Sequence, residues 1–131
     1  RRHGSARYDV FIMPLSHRDR PLYELKAGLF KGLAHPLRIR ILELLADGQE
    51  HTVGELQEQI AIEPSHLSQH LAVIRRYHLV VSERRRSNVY YRIAYPEVAQ
   101  FLALARALLT RILEDASESR ELADALPAVG R

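Results

Sequence analysis

Cysteine is absent from the 131 residues. That gap removes disulfides, thiolate metal ligands, iron–sulfur clusters and cysteine nucleophiles together. Long apolar runs are missing too, so nothing here is built to span a bilayer, and no apolar region behind a basic start reads as a secretory signal. The expectation is a soluble, cytoplasmic chain without membrane contact. There is no Gly-rich phosphate loop, no HExxH and no nucleophile elbow. Ser65 and Ser68 neighbour His66 and His70, but hydroxyl and imidazole on one short stretch lack an orienting carboxylate and an oxyanion hole. Neither enzymatic activity nor a cofactor is expected.

What is present is ordinary globular stock, 47% hydrophobic and 27% charged, in a length that suits one compact domain plus tails. The net charge of +3 is unevenly spread. Residues 64–93 carry six Arg against Glu83 alone, whereas residues 21–63 and 94–131 are net acidic. A concentrated cation inside a balanced domain points to an anionic partner; a solvated arginine face is the plainer alternative.

Residues 1–20 show no sustained period and read as a flexible N-terminal arm. Met13, the single methionine, is a candidate start. From Pro21, Leu22, Leu25, Leu29, Phe30 and Leu33 recur at helical spacing, and Pro21 suits the first turn. A second helix opens at Pro36 after His35 and stops at Gly48. Thr52-Val53-Gly54-Glu55 has capping-box spacing and announces a third, with Val53, Leu56 and Ile60 as its apolar stripe. His51 reads as a loop residue beside it. A turn over Ile60-Ala61-Ile62-Glu63 leads to a fourth helix from Pro64, which buries Leu67, Leu71 and Ile74. Period two then takes over in Leu79–Glu83 and Val89–Ile93 around a polar break at residues 84–88, the pattern of a β-hairpin. One of Tyr90 and Tyr91 faces the core and the other faces out; the register decides which.

A last helix from Pro96 carries Val98, Phe101, Leu102, Ala105, Leu108, Leu109, Ile112 and Leu113, a stripe too wide for so small a core. A second copy of the chain is expected to cover it. The domain is placed over 21–115, and 116–131 is read as an acidic C-terminal tail.

The resulting fold class is mainly α with a β-hairpin wing, a winged helix-turn-helix. B-DNA's major groove admits a helix, short polar side chains read base edges there, and arginines alongside neutralise phosphates. The runs Leu33-Ala34-His35-Pro36-Leu37-Arg38-Ile39-Arg40-Ile41-Leu42, Thr52-Val53-Gly54-Glu55-Leu56, Ser68-Gln69-His70-Leu71 with Leu79-Val80, and Val89-Tyr90-Tyr91 together resemble the ArsR (arsenical-resistance repressor) family of bacterial winged-helix regulators. The similarity spans about residues 22–113. Leu22-Tyr23-Glu24-Leu25-Lys26-Ala27 resembles the start of its actinobacterial type.

The resemblance implies a homodimeric repressor joined through its first and last helices, which places Leu22, Leu25 and Leu29 with Val98, Phe101, Leu102, Ala105, Leu108, Leu109 and Ile112 at the dimer interface. It matches Ser65, His66, Ser68, Gln69 and His70 to the DNA-facing positions of the recognition helix. Arg84, Arg85, Arg86, Ser87 and Asn88 match the wing tip. Arg75, Arg76 and Arg92 either bind phosphate or cover apolar surface with their stems. Three positions depart from the family pattern: Glu63 at the recognition-helix cap, His78 in place of a glycine that often needs positive φ, and Ser87 in place of the wing glycine, which suggests a wing longer or more mobile than average.

The family's cysteine metal sites cannot form here, and residues 96–113 hold no histidine for a site on the last helix. His66 and His70 are spaced to chelate a metal, but their place on the expected DNA face favours groove contact, so no metal site is assigned. His3 and His17 fall in the arm, and His35 suits capping or core packing. The expected function is a sequence-specific regulator, a repressor on an inverted-repeat operator in double-stranded DNA. The rivals are a winged-helix protein–protein module and a histidine-based metal-responsive repressor. Operator and inducing ligand leave no signature.

Overall fold

The computed structural model describes residues 20–125, so the expected arm, Arg20 excepted, and residues 126–131 lie outside the described residues. The chain divides into two units, one ending at Ala99 and one beginning at Gln100. The order of elements is α1 (Leu22–Leu33), α2 (Pro36–Leu45), β1 (His51–Thr52), α3 (Val53–Gln59), α4 (Pro64–Arg76), β2 (Val80–Arg85), β3 (Asn88–Ile93) and α5 (Pro96–Ala125).

Local chemistry sets the helix starts. Pro21 is the extended N-cap of α1, and its carbonyl accepts from Glu24 and Leu25 at 3.1 and 3.3 Å. The helix therefore begins one residue later than periodicity suggested. His35 caps α2, its Nδ1 accepting the Leu37 amide at 3.1 Å, and Pro36 follows where a missing N–H leaves no donor unsatisfied. Arg38 ties the two helices together. Its guanidinium donates to the carbonyls of Gly32 at 2.8 Å and Lys31 at 3.0 Å at the end of α1, where Lys31 O also accepts the Ala34 amide at 3.3 Å. Gly48, at φ +78°, lets the chain turn away after α2. At α3 both halves of the capping box form: Thr52 Oγ1 accepts from Glu55 N at 3.1 Å, and Glu55 Oε1 accepts from Thr52 N at 2.8 Å.

The core of the first unit is aliphatic. Ile41, Leu42 and Leu45 of α2, Leu56 of α3, and Leu67, Leu71 and Ile74 of α4 are essentially inaccessible, and Leu33, Ile60, Leu79, Val80, Ile93 and Val98 complete it. Each such side chain contributes roughly 1.5–3 kcal/mol relative to exposure. Among the described residues no polar or charged residue is fully buried. α1 approaches the C-terminal end of α4 through Gly32, where a Cβ would lie 2.5 Å from Tyr77 Cγ.

The sheet is antiparallel and three-stranded in the order β1-β3-β2, one strand more than the hairpin read from period two. The extra strand is only His51–Thr52, paired with Tyr91 and Tyr90, too short to leave a period of its own. His51 is therefore a strand residue, with its Nε2 2.9 Å from Asp47 Oδ2. Bonding from the Gln49 amide, together with His51, holds the Asp47 carboxyl below its ordinary value. The hairpin turn is also tighter than expected. β2 continues to Arg85 and β3 starts at Asn88, leaving only Arg86 and Ser87 between them. Charged residues fit β2 because it is an edge strand. The left-handed residue is Arg86 at φ +57°, so substitution of a glycine by Ser87 does not lengthen the wing. His78 takes φ +63°, as its position after α4 requires.

The second unit is the body of α5. The helix runs to Ala125, well past the boundary placed at 115, because residues 97–125 contain neither proline nor glycine. Ala105, Leu108, Leu109 and Ile112 are exposed in the single chain, and Phe101 and Leu102 are half-buried. On α1, Leu22 is exposed while Leu25 and Leu29 are half-buried. Val98, expected at the dimer face, is instead a core residue at 7% exposure, lying in the first turn after the sheet where it seals the same core as Ile93.

Candidate nucleic-acid interface

The α3–turn–α4 unit is held from within. The Ile60 amide closes α3 onto Leu56 O at 2.9 Å, the Ile62 amide bonds Ile60 O at 2.8 Å, and Gln57 Nε2 donates to Ile62 O. The turn therefore occupies 60–63. Glu63 is the N-cap of α4 and makes no side-chain capping bond, but its carbonyl accepts from His66 and Leu67 at 3.0 and 3.1 Å. Pro64 at the first helical position compensates by pre-setting φ.

With Leu67, Leu71 and Ile74 committed to the core, the helical period turns Ser65, His66, Ser68, Gln69 and Arg75 outward, and all five are exposed. Short hydroxyls, an imidazole, an amide and a guanidinium thus share the free surface of one helix. His70 departs from this set. It is half-buried, with its ring 4.2 Å from that of His35 and its Nδ1 enclosed without a partner. Burial, reinforced by His35, Arg38 and His66, pushes its pKa below the ordinary histidine value. It belongs to the α2–α4 contact rather than to the open face, because position 70 lies one turn beyond 66 on the side facing the cap of α2. Among the described residues no group of three or more His, Asp or Glu side chains is placed to hold a metal ion. Arg76 is half-buried and engaged within the protein.

Register resolves the wing. Val80 and Ile93 are buried partners, so Ser82, Tyr91, Arg84 and Val89 share the inner side of the hairpin, and Val81, Arg92, Glu83, Tyr90, Arg85 and Asn88 share the outer. Tyr90 is the outward ring, still half-buried because the Arg85 guanidinium lies 4.5 Å from its centroid. Arg85 also donates to Glu83 Oε1 at 3.1 Å and to Glu50 Oε2. Those bonds lower the Glu83 pKa and raise that of Arg85. Arg84, Arg86, Ser87, Asn88 and Arg92 are exposed, Arg92 with a 3.4 Å contact to Ile93 O. Glu50 and Arg38 were not singled out in the sequence. Glu50 lies 35 positions from Arg85, so no local spacing could reveal the pair.

A helix with one aliphatic and one polar side, joined by a four-residue turn to a preceding helix and followed by a cationic hairpin, defines a winged helix-turn-helix DNA-binding domain. Comparison with known proteins agrees. A family model described as a helix-turn-helix domain matches residues 33–84. The HTH-type transcriptional regulator Rv0081 of Mycobacterium tuberculosis is 50% identical over 96 residues, 72% of this chain and 83% of its own. The biofilm growth-associated repressor of Xylella fastidiosa is 39% identical over 84 residues, 64% of this chain and 70% of its own. The crystal structure of Rv0081 matches with a TM-score of 0.69 at 48% identity, over 76% of this chain and 99% of that one. The solution structure of the homodimeric winged helix-turn-helix domain of Mb0332 from Mycobacterium bovis, a possible ArsR-family transcriptional regulator, matches with a TM-score of 0.63 at 30% identity, over 72% and 87% of the two chains. The chain belongs to the ArsR-type winged helix-turn-helix transcriptional regulators, and it is a DNA-binding regulator.

Proposed function

We propose that the protein is a cytoplasmic homodimeric repressor that binds an inverted-repeat operator, with α4 in the major groove and the β2–β3 hairpin beside the backbone. The observation that carries this reading is the exposed Ser65, His66, Ser68 and Gln69 face, which holds no large apolar side chain. A protein-binding helix would present an apolar anchor there. The naming of a similar protein as a repressor and the homodimeric state of Mb0332 support the finer points. The protein acts by occupying DNA, not by catalysis. Two recognition helices related by a dyad read half-sites about 34 Å apart on one face of the duplex.

Selection of bound fragments from sheared genomic DNA, followed by gel retardation over a salt series, tests this. Enrichment of a palindromic sequence and affinity falling steeply with salt are expected. Recovery of fragments with no shared sequence would overturn it.

A further inference from the structure

Arg85 is set apart from its two neighbours in the arginine run. From the outer face of β2 it crosses the central strand β3, lies over the Tyr90 ring at 4.5 Å, and reaches Glu50 just ahead of β1 while also bonding Glu83. One guanidinium thereby links β2 and β3 to the residue that leads into β1. Two carboxylates pair with this one cation and offset its charge, so a phosphate approaching Arg85 meets Glu50 and Glu83 as well. Arg92 is the other cation on this face. Alternation puts Arg84 on the opposite face, and Arg86 occupies the turn. Among the described residues neither of these two forms an ion pair.

We propose that Arg85 is a positioning residue, strapped across the wing and withheld from phosphate by Glu50 and Glu83, so that Arg84 and Arg86 carry the backbone contacts of the wing tip. The inference rests on the DNA-binding reading above. Its consequence is a division of labour within three consecutive arginines. Arg84 and Arg86 each displace counterions from DNA, whereas Arg85 displaces none and instead fixes the direction in which the hairpin projects.

The test is the slope of log affinity against log salt, measured on a duplex selected from a random-sequence library by the unsubstituted protein. Arg84→Ala and Arg86→Ala should each flatten the slope by about 0.9, the value for one phosphate contact. Arg85→Ala should weaken binding with the slope unchanged. Glu50→Gln combined with Glu83→Gln, a surface change that preserves shape, should release Arg85 and steepen the slope by about 0.9. Flattening by Arg85→Ala equal to that by Arg84→Ala overturns this inference alone, as does an unchanged slope in the Glu50→Gln/Glu83→Gln protein. An unsubstituted protein that retards no duplex at any salt overturns the DNA reading and this inference with it.

Discussion

Gln69 carries a primary amide on the open side of α4, and a primary amide is the group that can pair with both N6 and N7 of adenine in a major groove. Gln69→Ala should relax base preference at one position of each half-site, by the roughly 1–3 kcal/mol typical of a bidentate contact, with little change in the salt slope. Titration across operator variants checks this; an undiminished preference at every position would remove Gln69 from the reading face. His70, one residue on, is governed by the interior instead. Its pKa is lowered in the fold by burial and by His35, Arg38 and His66, so the native state favours the neutral ring. The unfolded chain binds the proton more readily, and the associated stability is present above pH of about 6.5 and is lost as pH falls below it. Urea midpoints should therefore drop on acidification through that window, and the drop should shrink in His70→Gln. Asp47 acts in the same direction but only near the carboxylate range, so the two effects separate along the pH axis.

Elements meet in this domain through few but specific contacts. α1 reaches the end of α4 only because Gly32 has no side chain, a Cβ there falling 2.5 Å from Tyr77 Cγ. Gly32→Ala should destabilise the domain by about 1–3 kcal/mol through overpacking, although alanine is the better helix former. Urea denaturation measures it, and Tyr77→Ala in the same chain should recover part of the loss; a stabilised Gly32→Ala protein would contradict the geometry. The same logic of reach explains what local patterns missed. The capping box at Thr52 and Glu55 announced α3 because both partners lie within one turn. The β1 strand and the Arg85–Glu50 bond join segments 35 or more positions apart and had no such signature.

At the level of the molecule, the stretch from Gln100 to Ala125 is a helix whose Leu104, Leu108, Leu109, Ile112 and Leu113 are each more than half exposed. A lone helix in water gains little from exposing such a stripe, and in the homodimer proposed above burial against a second copy supplies the missing driving force. Leu108→Asp with Ile112→Asp should convert dimers to monomers in sedimentation and abolish operator binding while the far-UV spectrum stays helical. A fully dimeric, operator-binding double variant would place the interface elsewhere.

Periodicity together with local caps specified the helices from Leu22 to Arg76, and periodicity the hairpin and the stripe of α5, because burial of one face imposes a repeat on neighbouring residues in the chain. Charge counting likewise located the cationic segment 64–93. Only the folded arrangement could show that His70 turns inward, that Tyr90 rather than Tyr91 faces out, that Val98 belongs to the core, and that one of three adjacent arginines is already held by carboxylates. Those outcomes depend on register and on partners remote in sequence, and a one-residue shift of register reverses every side chain on a strand.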